Sequence, residues 1–130
     1  MTRFHTLAAV LLAFTLTACD SAAPESTSLA GIWEGQITHP NPDFSGTLTL
    51  TVTQAGDVIG GDARWRYPGE SISGVLIGTV PDSGPVTYTL DFGTRGQYLH
   101  EGTVRGGVLS GTWVSASRRA ISGTMALDRQ

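Results

Sequence analysis

The side chains able to do chemistry are few in this sequence. The histidines are His5, His39 and His100, and Cys19 is the one cysteine. No histidine pair has His-x-x-x-His spacing and no second cysteine exists, so the four-ligand set of a structural zinc site is missing. Serines are plentiful, but none lies in a Gly-x-Ser-x-Gly elbow with a base in prospect. The pairs Gly60-Gly61 and Gly106-Gly107 have no helix after them, which a phosphate-cradling loop requires. His39 stands with Asp43 in the turn HPNPD, either as a weak metal pair or as a solvated loop. His100 shares the parity of Tyr98, Gly102 and Val104, and so points into whatever core its strand builds. There it either holds a ligand or serves the packing. Glu34, Asp62, Asp91 and Glu101 alternate with Arg64 and Arg66 in the pattern of a charged outer face. These residues specify no reaction, and the reading is a protein that is not an enzyme, with no cofactor and no metal.

Position explains Cys19 better than pairing does, because exported proteins normally use cysteines two at a time. Arg3 opens the chain, and Leu7–Leu16 (LAAVLLAFTL) is an apolar run of ten, the start and centre of an export signal. A bilayer-spanning helix takes roughly 20 such residues. Leu16-Thr17-Ala18-Cys19 follows directly and resembles the lipobox of bacterial lipoprotein precursors. The resemblance implies cleavage after Ala18, a diacylglyceryl thioether on Cys19 and a membrane partner through that anchor, in the cell envelope. The alternative is a plain signal peptide cut near Ala18 with an incidental cysteine. Two or three acyl chains hold far more firmly than one, each buried methylene contributing about 0.8 kcal/mol. Asp20 resembles the inner-membrane retention signal of some lineages, and the choice between inner and outer membrane stays open.

The expected organisation is thus a signal over 1–18, the lipidated cysteine and a polar tether over 19–28, and one folded domain over 29–130. All eight basic residues are arginines, and without Arg3 seven face eleven carboxylates, a formal charge of about −4. That balance argues against a nucleic-acid partner, which asks for a basic surface.

Seventeen glycines amid Thr, Val, Ser and Leu read as strands and tight turns. Apolar–polar alternation marks eight strands: 30–38, 44–54, 57–67, 70–80, 85–92, 96–105, 107–115 and 119–128. All separators are short, which makes successive strands antiparallel neighbours. Phe44, Gly46, Leu48, Leu50 and Val52 share one face, and Thr47, Thr49, Thr51 and Thr53 the other. A slip of one residue would bury the threonines, which fixes the register. With no helix to cover an open sheet, closure removes both the bare face and the edges. The fold expected is all-β, an eight-stranded antiparallel up-and-down meander closed into a small barrel. Inward glycines such as Gly61, Gly74 and Gly123 relieve crowding where its strands bend.

Gly31-Ile32-Trp33 at the start of strand one resembles the G-x-W signature of the calycins, the superfamily of lipocalins, fatty-acid-binding proteins and avidins. That resemblance implies a barrel in which an arginine late in the last strand packs across the tryptophan, and Arg129 has the matching position. The helices of lipocalins and fatty-acid-binding proteins are absent, so the plain avidin-type meander is nearest. The avidin biotin-contacting asparagine would fall at Gly35, so biotin binding does not carry over. Trp33, Trp65, Tyr67, Tyr88, His100 and Trp113 share the inward parity and are the candidate lining of a pocket. They equally suit a filled core, since eight strands leave an interior about wide enough for side chains. The functional expectation is an envelope lipoprotein whose barrel binds a small apolar ligand or a protein partner at its mouth. The alternatives are a structural envelope lipoprotein with a solid core and an inhibitor of exported proteases.

Overall fold

Threonine alternates with leucine and valine along the second strand, and the backbone honours the alternation. Leu48, Leu50 and Val52 are buried while Thr51 and Thr53 face out. The computed structural model describes residues 28–118 and 121–130; the expected signal, Cys19 and residues 20–27 lie outside the described residues. Eight strands appear in chain order: β1 (Gly31–Thr38), β2 (Gly46–Ala55), β3 (Val58–Tyr67), β4 (Glu70–Thr79), β5 (Val86–Asp91), β6 (Gln97–Arg105), β7 (Val108–Ser115) and β8 (Ser122–Arg129). Each pairs antiparallel with the next, and β8 returns to β1 to close the barrel. The closing seam runs from Trp33 opposite Arg129 to Thr38 opposite Thr124.

The connections explain two departures from strict alternation. Pro42–Phe44 form a short 3-10 turn capped by Asn41, whose side chain accepts from the Asp43 N–H. The second strand therefore starts at Gly46, and Phe44 leaves the core face expected for it to stand half-buried against His39, 5.2 Å between ring centres. The last strand likewise begins at Ser122, and it runs on to Arg129. The tight β6–β7 hairpin turns on Gly106 and Gly107, both at positive φ (56° and 76°), which a two-residue turn of primed type requires. At the seam, a Cβ on Gly123 would overlap the Thr38 carbonyl oxygen and one on Gly35 the Ala126 carbonyl oxygen, so β8 and β1 approach closely where both side chains are missing.

The strand directions give the barrel two unlike ends. Leu29, Gln130 and the β2–β3, β4–β5 and β6–β7 connections gather at the terminal end. The β1–β2, β3–β4, β5–β6 and β7–β8 connections gather at the loop end. Between the ends lies one core, from Leu29 through Trp33, Leu50, Leu76, Leu90 and Trp113 to Leu127.

Candidate functional site

The middle of the barrel is crossed by a row of register partners, Gly78, Tyr88, His100, Trp113 and Gly123. Tyr88 and His100 stack with ring centres 5.0 Å apart. The Tyr88 hydroxyl donates to Met125 Sδ at 3.1 Å, and His100 Nδ1 lies 3.2 Å from the same sulfur. Strand β5 thus reaches β8 through the interior. Burial pushes the His100 imidazole down to about 3 and the Tyr88 phenol up from its ordinary value. Both groups are neutral at any ordinary pH, and the soft thioether serves as acceptor for two donors that a purely aliphatic core would leave unpaired. His39 is tied into its own turn, where Nδ1 accepts from the Asn41 N–H at 2.9 Å, and its ring packs 5.9 Å from Trp113. Among the described residues no cluster of three or more His, Cys, Asp or Glu is placed to hold a metal.

At the terminal end Trp33 is fully buried, and its Nε1–H donates to the Leu29 carbonyl at 2.9 Å. Arg129 lies over the indole, 4.5 Å from guanidinium carbon to ring centre. Its two terminal nitrogens donate to the Ala30 and Ser28 carbonyls, while the side chain remains exposed. Gly31, at the start of β1, has that same guanidinium 3.7 Å from where its Cβ would stand.

The loop end holds most of the aromatic side chains. Trp65 on β3 is surrounded by Tyr98, Tyr67, Trp113 and Phe92 at centre-to-centre distances of 5.2, 5.5, 5.9 and 6.1 Å. Strands β3 and β7 stand on opposite walls, so the Trp65–Trp113 contact spans the lumen. Tyr67 and Tyr98 form a half-buried rim. Burial raises the Tyr98 phenol, and the nearby Arg118 and Arg95 charges oppose that shift. The Trp65 Nε1–H is buried and finds no acceptor among the described residues.

The candidate lining residues are thus spread over three levels rather than ringed about one space. Trp33 belongs to the terminal end, Tyr88 and His100 to the middle, and Trp65, Tyr67 and Trp113 to the loop end. Phe92 and Tyr98 complete the aromatic group. Their inward parity is visible in the sequence, but the closeness of β3 to β6 and β7 is not.

The outer surface carries a separate feature. A groove of about 1090 Å³ crosses β4 to β8 between two rows of outward side chains. Ile77, Thr89, Leu99, Val114 and Ser122 form one wall as successive register partners; Thr79, Thr87, Glu101, Thr112 and Thr124 form the other. Ile77 and Leu99 are 65% and 45% exposed and stand in the same wall of this groove. Glu101 makes no ion pair among the described residues, in contrast to Glu34, which lies 4.0 Å from Arg66.

Neither a protein-family model nor a curated protein sequence matches this chain. The molecule is a small closed meander barrel with two unlike ends and a groove on its outer face.

Proposed function

We propose that this chain is a lipid-anchored protein of the bacterial cell envelope, built on a calycin-like barrel, that takes up a small apolar ligand at its loop end. The single observation carrying this reading is the contrast between the ends. One end is sealed by Trp33 and Arg129, and the other offers Trp65, Tyr67, Phe92 and Tyr98 under a small loop. The lipobox ending at Cys19 supports the anchor. The nine residues from Asp20 to Ser28 span at most about 30 Å and join the barrel at its terminal end. An anchor there leaves the aromatic end free to face away from the membrane.

Two measurements test this. Cys19→Ala should leave a larger unlipidated precursor or a soluble form; a variant that stays with membranes at the wild-type mature mass removes the anchor. Native mass spectrometry of the full chain extracted from its own envelope should show a bound mass of a few hundred daltons that Tyr98→Ala weakens. A barrel that emerges bare, and that no apolar probe perturbs at Tyr67 or Tyr98, removes the ligand.

The outer groove favours a second reading, docking of an extended segment of a protein partner that alternates apolar and basic side chains. Ile77, Leu99 and Val114 suit the apolar positions, and the Glu101 carboxylate, which has no ion pair among the described residues, suits the cation. A labelled peptide alternating valine and arginine should bind, and Glu101→Lys should abolish the binding. Equal binding to both proteins overturns this reading.

A further inference from the structure

The loop closing the aromatic end carries its own set of backbone hydrogen bonds. The Phe92 N–H donates to the Gly96 carbonyl, the Arg95 N–H to the Phe92 carbonyl and the Gly96 N–H to the Gly93 carbonyl, at 2.9, 3.2 and 3.0 Å. The loop therefore keeps its own bonds wherever it sits. What fastens it to the barrel is mostly side chain. Arg95 pairs with the Glu70 carboxylate and donates to the Tyr67 hydroxyl, the Tyr98 hydroxyl donates to the Arg95 carbonyl, and the Phe92 ring rests by Trp65. Arg95 and Glu70 are partly open to water, where an ion pair restrains weakly.

Beneath this fastening sits the one buried polar side-chain atom left unpartnered among the described residues, Trp65 Nε1. The other two indoles are satisfied, Trp33 by the Leu29 carbonyl and Trp113 by the Thr124 carbonyl at 3.2 Å. A buried donor without an acceptor is uncommon in folded proteins and destabilises them, so each instance calls for a cause. The loop residue Phe92 packs against this same indole, 6.1 Å between ring centres. Phe92 fills a ring-sized space against Trp65, and swinging the loop outward would vacate it.

We infer that residues 92–96 are a latch over Trp65, and that the ligand is a small neutral molecule with one planar ring and one carbonyl or ether oxygen that accepts the free indole N–H. This rests on the ligand-binding reading of the loop end. The ring replaces Phe92 among Trp65, Tyr67 and Tyr98, and the oxygen gives Trp65 the partner it lacks. The ligand is neutral because the surrounding rings are apolar, and a charge set among them would lose its hydration without a partner.

The test follows the three indole N–H resonances of the full chain in detergent micelles by nitrogen–proton correlation spectra. The probes are acetanilide, which has ring and carbonyl, and ethylbenzene, which has the ring alone. Acetanilide should move the Trp65 indole proton downfield and leave that of Trp33 in place. Arg95→Ala and Glu70→Gln should each bind acetanilide about two- to fivefold more tightly, because a weak restraint that holds the loop closed is gone. Trp65→Phe, which keeps a ring, should erase the advantage of acetanilide over ethylbenzene. If both probes perturb Tyr67 and Tyr98 equally and the Trp65 proton does not move, the acceptor inference fails while the ligand-binding reading stands. If neither probe perturbs any of these residues in the wild type or in Arg95→Ala, both fall.

Discussion

A tryptophan stands near each end of the barrel, and the two are treated differently. Trp33 donates its N–H to Leu29, carries Arg129 on its face and lies where the first and last strands are fastened. The Leu29 N–H there reaches Gln54 Oε1 at 2.8 Å, and the Gln130 N–H reaches the Ile32 carbonyl at 2.9 Å. Trp65 is almost as deeply buried, yet its N–H has no partner among the described residues, and its cover is a glycine-flanked loop held by the Phe92 ring and a partly exposed ion pair. Both ends bury a tryptophan in apolar surroundings, so burial does not separate them. The difference lies in whether each buried polar atom finds a partner, and it divides the molecule into a locked end and an end that can open.

The sharpest test of that division is the pair of substitutions at its two centres. Trp33→Ala should lose about 3–5 kcal/mol of stability, the usual result of emptying a large aromatic site. Phenylalanine discriminates better, since each change removes the same atoms. Trp33→Phe also strands the Leu29 carbonyl, whereas Trp65→Phe deletes a donor that had no partner. Trp65→Phe should therefore be the milder by roughly 1–3 kcal/mol in urea unfolding. Equal losses would erase the distinction between the ends.

Much of this architecture could be read from the residues alone, and the remainder could not for identifiable reasons. The Leu48, Leu50 and Val52 alternation defines strand, face and register because a one-residue slip would bury threonine. Trp33 and Arg129 could be brought together because closure makes the last strand end beside the start of the first. Phe44 defeated the same logic, since Asn41 and Pro42 turn the chain before the ladder begins. The latch was invisible. Glu70 and Arg95 are far apart in sequence and meet because β4 starts five residues before its first β5 partner, Val75 opposite Asp91. Periodicity gives a strand its face, not its overhang. The outer groove was hidden likewise: Ile77, Leu99 and Val114 are ordinary outward exceptions until the register sets them in one row.

Acid should weaken both ends together, because the row that joins them holds His100. Its imidazole stays neutral in the folded barrel down to about pH 3, whereas in the unfolded chain it protonates near 6.5. Between those values the unfolded chain binds the extra proton, so stability rises with pH up to about 6.5 and levels off above it. The loss at pH 5 relative to pH 7.5 comes to about 2 kcal/mol. His100→Phe should flatten that slope in melting curves over pH 5 to 7.5, whatever it does to the plateau. Identical slopes in the two proteins would show that the buried imidazole is not what acid attacks.

Next in size is the lock itself. Arg129→Ala removes a cation over an indole face together with two donors to backbone carbonyls, and should lower stability by about 0.5–2 kcal/mol. The exposure of Arg129 argues for the lower half of that range. Arg129→Lys keeps the charge but lacks the planar fork that serves Ala30 and Ser28 together, so it should recover only part of the loss. Full recovery by lysine would reduce the lock to a point charge.

The smallest change in stability should come from Glu70→Gln, and it is the most telling about the open end. An ion pair between groups this exposed contributes roughly 0–1 kcal/mol, so the melting temperature should scarcely move. Hydrogen exchange should nonetheless respond locally, because a latch opening replaces global unfolding as the route by which water reaches Trp65. The Trp65 indole N–H should exchange about two- to fivefold faster, in line with the weak restraint removed. The Arg95 and Gly96 amides should keep their protection, since their acceptors, the Phe92 and Gly93 carbonyls, travel with the loop. The Trp33 indole, bonded to Leu29 at the far end, should not change. If the Arg95 and Gly96 amides accelerate with Trp65, the loop unravels instead of swinging. If Trp33 accelerates as well, the opening is that of the whole barrel, and the two ends are one cooperative unit after all.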